Sequence, residues 1–522
     1  MPEAVLLAAS GQPSAGNALL DSIVQNAANK VLFTDVQGDI LAGGLPKKHE
    51  IFWFFTIHPN KAKSFCQNIG NATGDGMLTF SSVQNILDER QKFRQTFPGV
   101  SDNVVTGANP SGSRHWVPSV GANISFSFRG LKKMSAALST DLKLDHLPVP
   151  DDPFVSGMKR DSMSADGLGD PPSAFAAGTP FGDDQIDGVL IVAGSNDLIV
   201  NAALSGVMGI LGFTKDANST IAEVSRETGN VRLQANDGKE HFGFEDGISQ
   251  PAVKDIDDNG ADPEVPDNVI DRHVILVGYD TRNIHAQQPW MKNGSFLCFR
   301  KLEQHVDKWN QAVVSIAEKA NESPERVGAK LMGRWPSGCP IMLSPRENDN
   351  SLARLPKSNR FPNFVKSDAG SNQDNSMCPL GAHIRKTNPR DRRFDPNGIH
   401  RILRRGIPYG PDFDPENSAN NAQKRGLLFA CYQSDLTQGF KFIQTRWANA
   451  PKFPEPGAGL DLTIGQTGDE QDAFQMDIVF NPGQSPLPSN TFSGINQFVE
   501  LKGGEYFFTP SFTAMRGALS KV

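Results

Sequence analysis

Three short segments in the second half of the chain carry side chains that could do chemistry together. Gly243-Phe244-Glu245-Asp246-Gly247 offers a carboxylate, and Cys378-Pro379-Leu380-Gly381-Ala382-His383-Ile384-Arg385-Lys386-Thr387-Asn388-Pro389-Arg390 offers an imidazole. His400-Arg401-Ile402-Leu403-Arg404-Arg405-Gly406-Ile407-Pro408-Tyr409-Gly410 offers a guanidinium. A carboxylate can shuttle a proton, and a neutral imidazole is a common ligand for haem iron. A guanidinium stabilises negative charge on an oxygen. Each segment also has a plainer reading: Asp-Gly is a common surface turn, a lone histidine is often a hydrogen-bonded core residue, and a basic run is often a solvated face. Residues 385–405 hold eight basic side chains against the acids Asp391 and Asp395, an excess that calls for anionic partners.

The elements that must position these groups follow from periodicity. Residues 1–30 read as a polar, alanine-rich lead-in. Ile51–Ile57 reads as a buried strand, followed by a helix over 61–69. A strand at 123–128 and a helix from about Leu131 come next, then an apolar strand at 188–193 and a helix over 197–211. Residues 221–226 and 231–233 could supply a last strand. The order β-α-β-β-α-β is the ferredoxin-like arrangement. After an acidic, proline-punctuated linker at 255–268 the pattern partly repeats. It shows strands at 295–300, 427–432 and 505–509, with helices over 302–319 and 437–447. The expected fold is α+β, with two related halves (1–254 and 255–522), each an antiparallel sheet flanked by helices.

Composition narrows the classes. The 522 residues are 38% hydrophobic and 21% charged with a net charge of −7, ordinary for a globular protein and poor for non-specific nucleic-acid binding. No apolar run reaches the ~18 residues of a membrane span. Five cysteines without a CxxC argue against a disulfide framework or a structural zinc site. Five sequons, at Asn71, Asn123, Asn218, Asn293 and Asn321, permit glycosylation. The compartment is expected to be extracellular, with the signal not visible in this chain, or else cytoplasmic. Asp255–Gly260 matches half of a calcium-binding loop, but Pro266 stands where a bidentate glutamate is required. Hydrolase and nucleotide-binding motifs such as GxSxG, HExxH, the P-loop and GxGxxG do not occur.

Taken in order, the three segments resemble the dye-decolorizing peroxidase family, and the length resembles its large fungal kind. The likeness runs from Asp35-Val36-Gln37-Gly38-Asp39 to Tyr506-Phe507-Phe508. It implies two ferredoxin-like halves with haem b, one per chain, between them. It implies His383 as the proximal iron ligand, Asp246 as the distal acid–base residue and Arg404 as the distal arginine. Asp435 resembles a second carboxylate near the proximal histidine. Trp447 and Tyr409 resemble surface electron-transfer residues, although core packing is the commoner fate of such aromatics. The implied reaction uses hydrogen peroxide to oxidise bulky aromatic dyes and phenolic compounds, with Mn(II) as a further candidate. It implies an acidic optimum, since aspartate titrates near ~3.9. The alternative is a haem-binding or iron-release protein with little peroxidase turnover. A monomer or weak homodimer is expected.

Overall fold

Nine strands form one continuous sheet. They are β1 (His49–Ile57), β2 (Val120–Phe126), β3 (Gly188–Gly194), β4 (Ile221–Asn230), β5 (Ser295–Gln304), β6 (Leu403–Arg404), β7 (Ile407–Tyr409), β8 (Gly426–Gln433) and β9 (Val499–Thr509). The computed structural model describes residues 32–522 apart from 74–79, 97–118, 140, 145–151, 255, 257–268, 281–287, 354–376, 392, 467–475, 481–486 and 488–496. The 1–30 lead-in, and all of the 255–268 linker except Ile256, lie outside the described residues.

The strand order is β4-β1-β3-β2-β9-β5-β8-β6, with β7 also pairing β8. The first four strands show the 4-1-3-2 order of a ferredoxin-like unit. The last set repeats it: β9 takes the outer position, β5 and β8 follow, and the split β6–β7 closes the set. The two units meet edge to edge, where Phe508 of β9 pairs Phe126 of β2. At the far edges β4 approaches β7, and a Cβ added at Gly229 would lie 2.2 Å from Ile407 Cγ2. The sheet therefore curls toward closure.

Aromatic residues explain why β1 reads as an unbroken apolar run. Phe52 and Phe54 face the inside of the curl, where both rings meet Phe299 of β5 with centroids 4.8 and 5.0 Å apart. Trp53 and Phe55 point outward under helical cover, and Phe55 meets Phe65 of helix α1 (Ala62–Ala72) at 5.8 Å. A strand covered on both faces has no polar alternation. Side-chain caps start two further helices. Ser127 accepts the Gly130 N–H at the start of α2 (Phe128–Ser135), and Asn196 accepts the Ile199 N–H at the start of α3 (Asp197–Ile210).

Boundaries differ from the expectation at several elements: the strand expected at 505–509 begins at Val499, and the helix expected from about Leu131 begins at Phe128. Residues 231–233 are not strand, because the chain turns away after Asn230. The helix expected from Leu302 begins at Val306 (α4, Val306–Ala320), because β5 runs on to Gln304 between two partner strands. The helix expected over 437–447 is one α-turn, Phe440–Phe442, followed by a π-helical turn, Ile443–Ala448. All five cysteines are buried free thiols.

Candidate active site

One face of the C-terminal half of the sheet is the floor of a cavity of about 1510 Å³, its open mouth included. Leu302 and Gln304 of β5, Leu427 and Phe429 of β8, Arg404 of β6 and Val499 of β9 all face it. His383, Ile384, Phe440 and Ile443 also line it. Among the described residues, the first half of the chain contributes only the segment after β4, from Glu240 to Pro251.

Asp246 and Arg404 come together although 158 residues separate them. Arg404 Nη1 donates to Asp246 Oδ1 at 2.6 Å. The same oxygen accepts the Gly247 N–H at 2.6 Å, which leaves Oδ2 without a hydrogen-bond partner among the described residues. Gly243 and Gly247 adopt φ +96° and +80°, and nothing lies within 4 Å of a Cβ added at either. Glycine permits this turn, and open space beside it lets a large ligand approach. Buried Glu240 braces the turn, accepting the N–H groups of Phe242 at 2.7 Å and Phe244 at 2.9 Å. Burial pushes the Asp246 carboxyl up, but Arg404, the Gly247 N–H and His383 together outweigh it and hold it below the usual carboxylate value.

His383 opens the short helix α5 (His383–Thr387). Its Nδ1 donates to Asp461 Oδ2 at 2.8 Å, and the side chain of Asp461 is fully buried. Thr463 Oγ1 donates to Asp461 Oδ1 at 2.7 Å, and the Thr463 and Ile464 N–H groups donate to that oxygen too. Burial pulls His383 down, and the Asp461 carboxylate more than reverses it. Burial raises Asp461, and His383 and Thr463 bring it below the usual value. A histidine whose Nδ1 is anchored to a carboxylate presents Nε2 for a metal, with a fixed tautomer and raised basicity.

Here the structure corrects the sequence reading. The carboxylate behind His383 is Asp461, not Asp435. Asp435 lies in the turn after β8, where its Oδ1 accepts the N–H groups of Thr437 and Gln438. Trp447 and Tyr409 are not surface residues, being 2% and 8% exposed. Trp447 stacks on Phe453 at 5.5 Å and meets cavity-lining His400 edge-on at 5.5 Å. Phe453 meets half-buried Phe394 at 4.9 Å. Tyr409 faces the inside of the curl, away from the cavity, with Lys301 Nζ 5.4 Å from its ring centroid. Gly381 permits close chain packing, since a Cβ there would sit 2.2 Å from the Ala458 carbonyl oxygen.

The sequence reading also missed Arg334, a buried second guanidinium in the cavity wall. Burial and then Arg404 push it down to about 10. Its Gly-Arg-Trp setting was the available signal.

The residues fit a haem. An anchored imidazole and a carboxylate–guanidinium pair line one cavity whose other walls are largely apolar, with Arg390 and Arg401 also in the lining. Comparison with known proteins agrees. Residues 35–233 match the DyP dimeric alpha+beta barrel domain, and residues 239–453 match the Dyp-type peroxidase, C-terminal domain. Peroxidase 2 of Mycetinis scorodonius is 34% identical over 93% of this chain and 87% of its own length. Dye-decolorizing peroxidase AauDyP1 of Auricularia auricula-judae is 32% identical over 97% of this chain and 90% of its own. The solved structure of an ancestral D-type dye decolorizing peroxidase aligns with a TM-score of 0.75 at 34% identity, covering 94% of this chain and 99% of that one. The chain belongs to the dye-decolorizing peroxidase family, and it is a haem-dependent peroxidase of the large fungal kind.

Proposed function

We propose that the protein binds one haem b per chain, with His383 as the iron ligand, and uses hydrogen peroxide to oxidise bulky aromatic dyes and phenolic compounds. The observation that carries this reading is the shared cavity, which His383 lines together with the Asp246–Arg404 pair. Haem bound there supplies an iron that carries the oxidising equivalents of peroxide. The chain's own residues do the rest. Asp461 holds the His383 ring in one tautomer. Asp246 Oδ2 takes a proton from the bound peroxide and returns it to the departing oxygen. Arg404 steadies Asp246 Oδ1 and offers positive charge to that oxygen. Apolar walls keep bulk water from the reacting atoms.

Bulky dyes reach the site by electron transfer in this proposal. His400, Trp447, Phe453 and Phe394 form a run of rings from the cavity toward the surface. Tyr409 has no comparable connection on the cavity face. Mn(II) oxidation lacks comparable support: among the described residues no group of three or more His, Cys, Asp or Glu side chains could hold a metal ion. The proposal extends to a division of the chain near residue 254, to secretion and to a monomer or weak homodimer. For secretion, the sequons at Asn71, Asn218 and Asn321 are exposed, whereas Asn123 is buried.

The test is the absorption spectrum of the haem-loaded protein before and after one equivalent of peroxide, followed by addition of an anthraquinone dye. A spectral change that the dye reverses, with loss of dye colour, is expected. A stable haem band that peroxide leaves unchanged would establish the haem-binding or iron-release alternative instead.

A further inference from the structure

The chain has four tyrosines, and their hydroxyls have four different surroundings. Tyr279 donates to the Asn293 amide oxygen at 2.6 Å. The Tyr409 hydroxyl is buried with no partner among the described residues. Tyr432 donates to the Asp39 carboxylate at 3.1 Å, and Tyr506 donates to Asp161 Oδ2 at 2.8 Å. An amide oxygen is a poor proton acceptor, and a carboxylate is a good one. Among the described residues, therefore, only Tyr432 and Tyr506 have a carboxylate in place to take the phenol proton.

Position separates these two. Tyr432 pairs with Leu297 and faces the inside of the curl, away from the cavity. Tyr506 lies on the cavity face. It ends a row of directly opposed residues that begins at Arg404 and crosses Cys431 of β8 and Cys298 of β5. Three strand spacings, about 14 Å, separate its backbone from that of Arg404. A second connection is shorter in sequence: Phe440 lines the cavity, and the next residue, Lys441, forms an ion pair with Asp161.

Burial and Asp161 push the Tyr506 phenol well above its ordinary value, so it cannot lose its proton first. Asp161 Oδ2, 2.8 Å away, is placed to receive the proton as the electron leaves. Cys298 and Cys431 occupy the same row, but among the described residues neither thiol is hydrogen-bonded to a carboxylate, and the Cys431 Sγ points to the Gln433 amide oxygen at 3.6 Å.

We propose that Tyr506 is an internal electron donor of this peroxidase, oxidised in concert with proton transfer to Asp161 when peroxide reacts without an external reductant. In this step the Tyr506 O–H bond breaks and an O–H bond forms on Asp161 Oδ2. One electron passes toward the cavity to fill half of the two-electron deficit left by one peroxide, and a neutral tyrosyl radical remains. The inference rests on the peroxidase reading.

The test mixes the haem-loaded protein with one equivalent of hydrogen peroxide, freezes it within seconds and records the electron paramagnetic resonance spectrum beside the absorption spectrum. A tyrosyl signal is expected in the parent, in Tyr432→Phe and in Tyr409→Phe. It is expected to be lost in Tyr506→Phe, which removes one hydroxyl and leaves the ring to pack, and in Asp161→Asn. An unchanged haem band, or a peroxide response equal to the parent's, shows that each variant is folded and loaded. The proposal is overturned by a tyrosyl signal that persists in Tyr506→Phe or disappears in Tyr432→Phe. It is also overturned if the parent's haem band responds to peroxide and no tyrosyl signal forms. A parent whose haem band ignores peroxide overturns the peroxidase reading itself, and this proposal with it.

Discussion

Replacing Asp461 with Asn tests the geometry behind the imidazole. Asp461 is fully buried and accepts the His383 Nδ1–H at 2.8 Å. A hydrogen bond to a charged group contributes about 1.5–3 kcal/mol. Substituting the residue behind a metal-ligating histidine typically costs about 10- to 100-fold in metal affinity or activity. An asparagine keeps the volume and loses the charge, and Thr463 Oγ1 still lies 2.9 Å from Nδ1. The expected result is therefore haem loss about tenfold faster than in the parent, toward the lower end of that range. The assay follows the haem band while an excess of apo-globin captures released haem. A positive shift of the iron reduction potential should accompany it, because the ring donates less charge. Asp435→Asn is the control and should behave as the parent does. If Asp461→Asn holds haem as tightly as the parent while Asp435→Asn releases it, the assignment of Asp461 fails.

Arg404→Leu should retain haem and slow its reaction with peroxide by about 10²- to 10³-fold, measured by stopped-flow absorption. In the parent, Asp246 titrates below its ordinary value of 3.8, so the reaction should fail only at more acidic pH than that; in Arg404→Leu the failing limb should move to higher pH. Buried Glu50 and Glu505 are each pushed up from 4.5 to about 7, mainly by burial. Both bind a proton in the native state between those values while the unfolded chain does not, so their contribution is full below pH 4.5 and lost as pH rises through 7. The change reaches about 3 kcal/mol per group. Thermal unfolding should occur at lower temperature at pH 8 than at pH 5, and Glu505→Gln should reduce that difference; an unaltered difference refutes the claim for Glu505. Trp447→Phe should slow oxidation of a large dye more than of a small phenol, and equal losses on both would argue against the run of rings.

Much of this was legible in the sequence, for identifiable reasons. Strands β1, β3 and β8 are apolar over nearly their whole length, because both faces of the curled sheet are covered. Asp246, His383 and Arg404 sit in segments whose neighbours repeat a family pattern, so each could be named before its surroundings were known. Asp461 could not: it lies 78 residues from His383, in a turn with no distinctive spacing. Asp435 was misread because a carboxylate just after a strand suits a turn and a ligand-bracing role equally. The burial of Trp447 and Tyr409 depends on contacts with rings and strands distant in the chain. The merging of two units into one sheet was equally hidden, since edge pairing of β2 with β9 leaves no local mark.

That merging governs the order in which the molecule can be completed. Strand β9 comes last in the sequence yet lies between β2 and β5, at the centre of the sheet, and its Val499 lines the cavity floor. On a ribosome adding about 5–20 residues per second, the first ferredoxin-like unit can pair its own strands early, with one edge left waiting. The cofactor chamber cannot close until nearly the whole polypeptide has emerged. Cofactor insertion is thereby made a late event of biogenesis, and a nascent chain cut short before its final segment would leave an incomplete chamber.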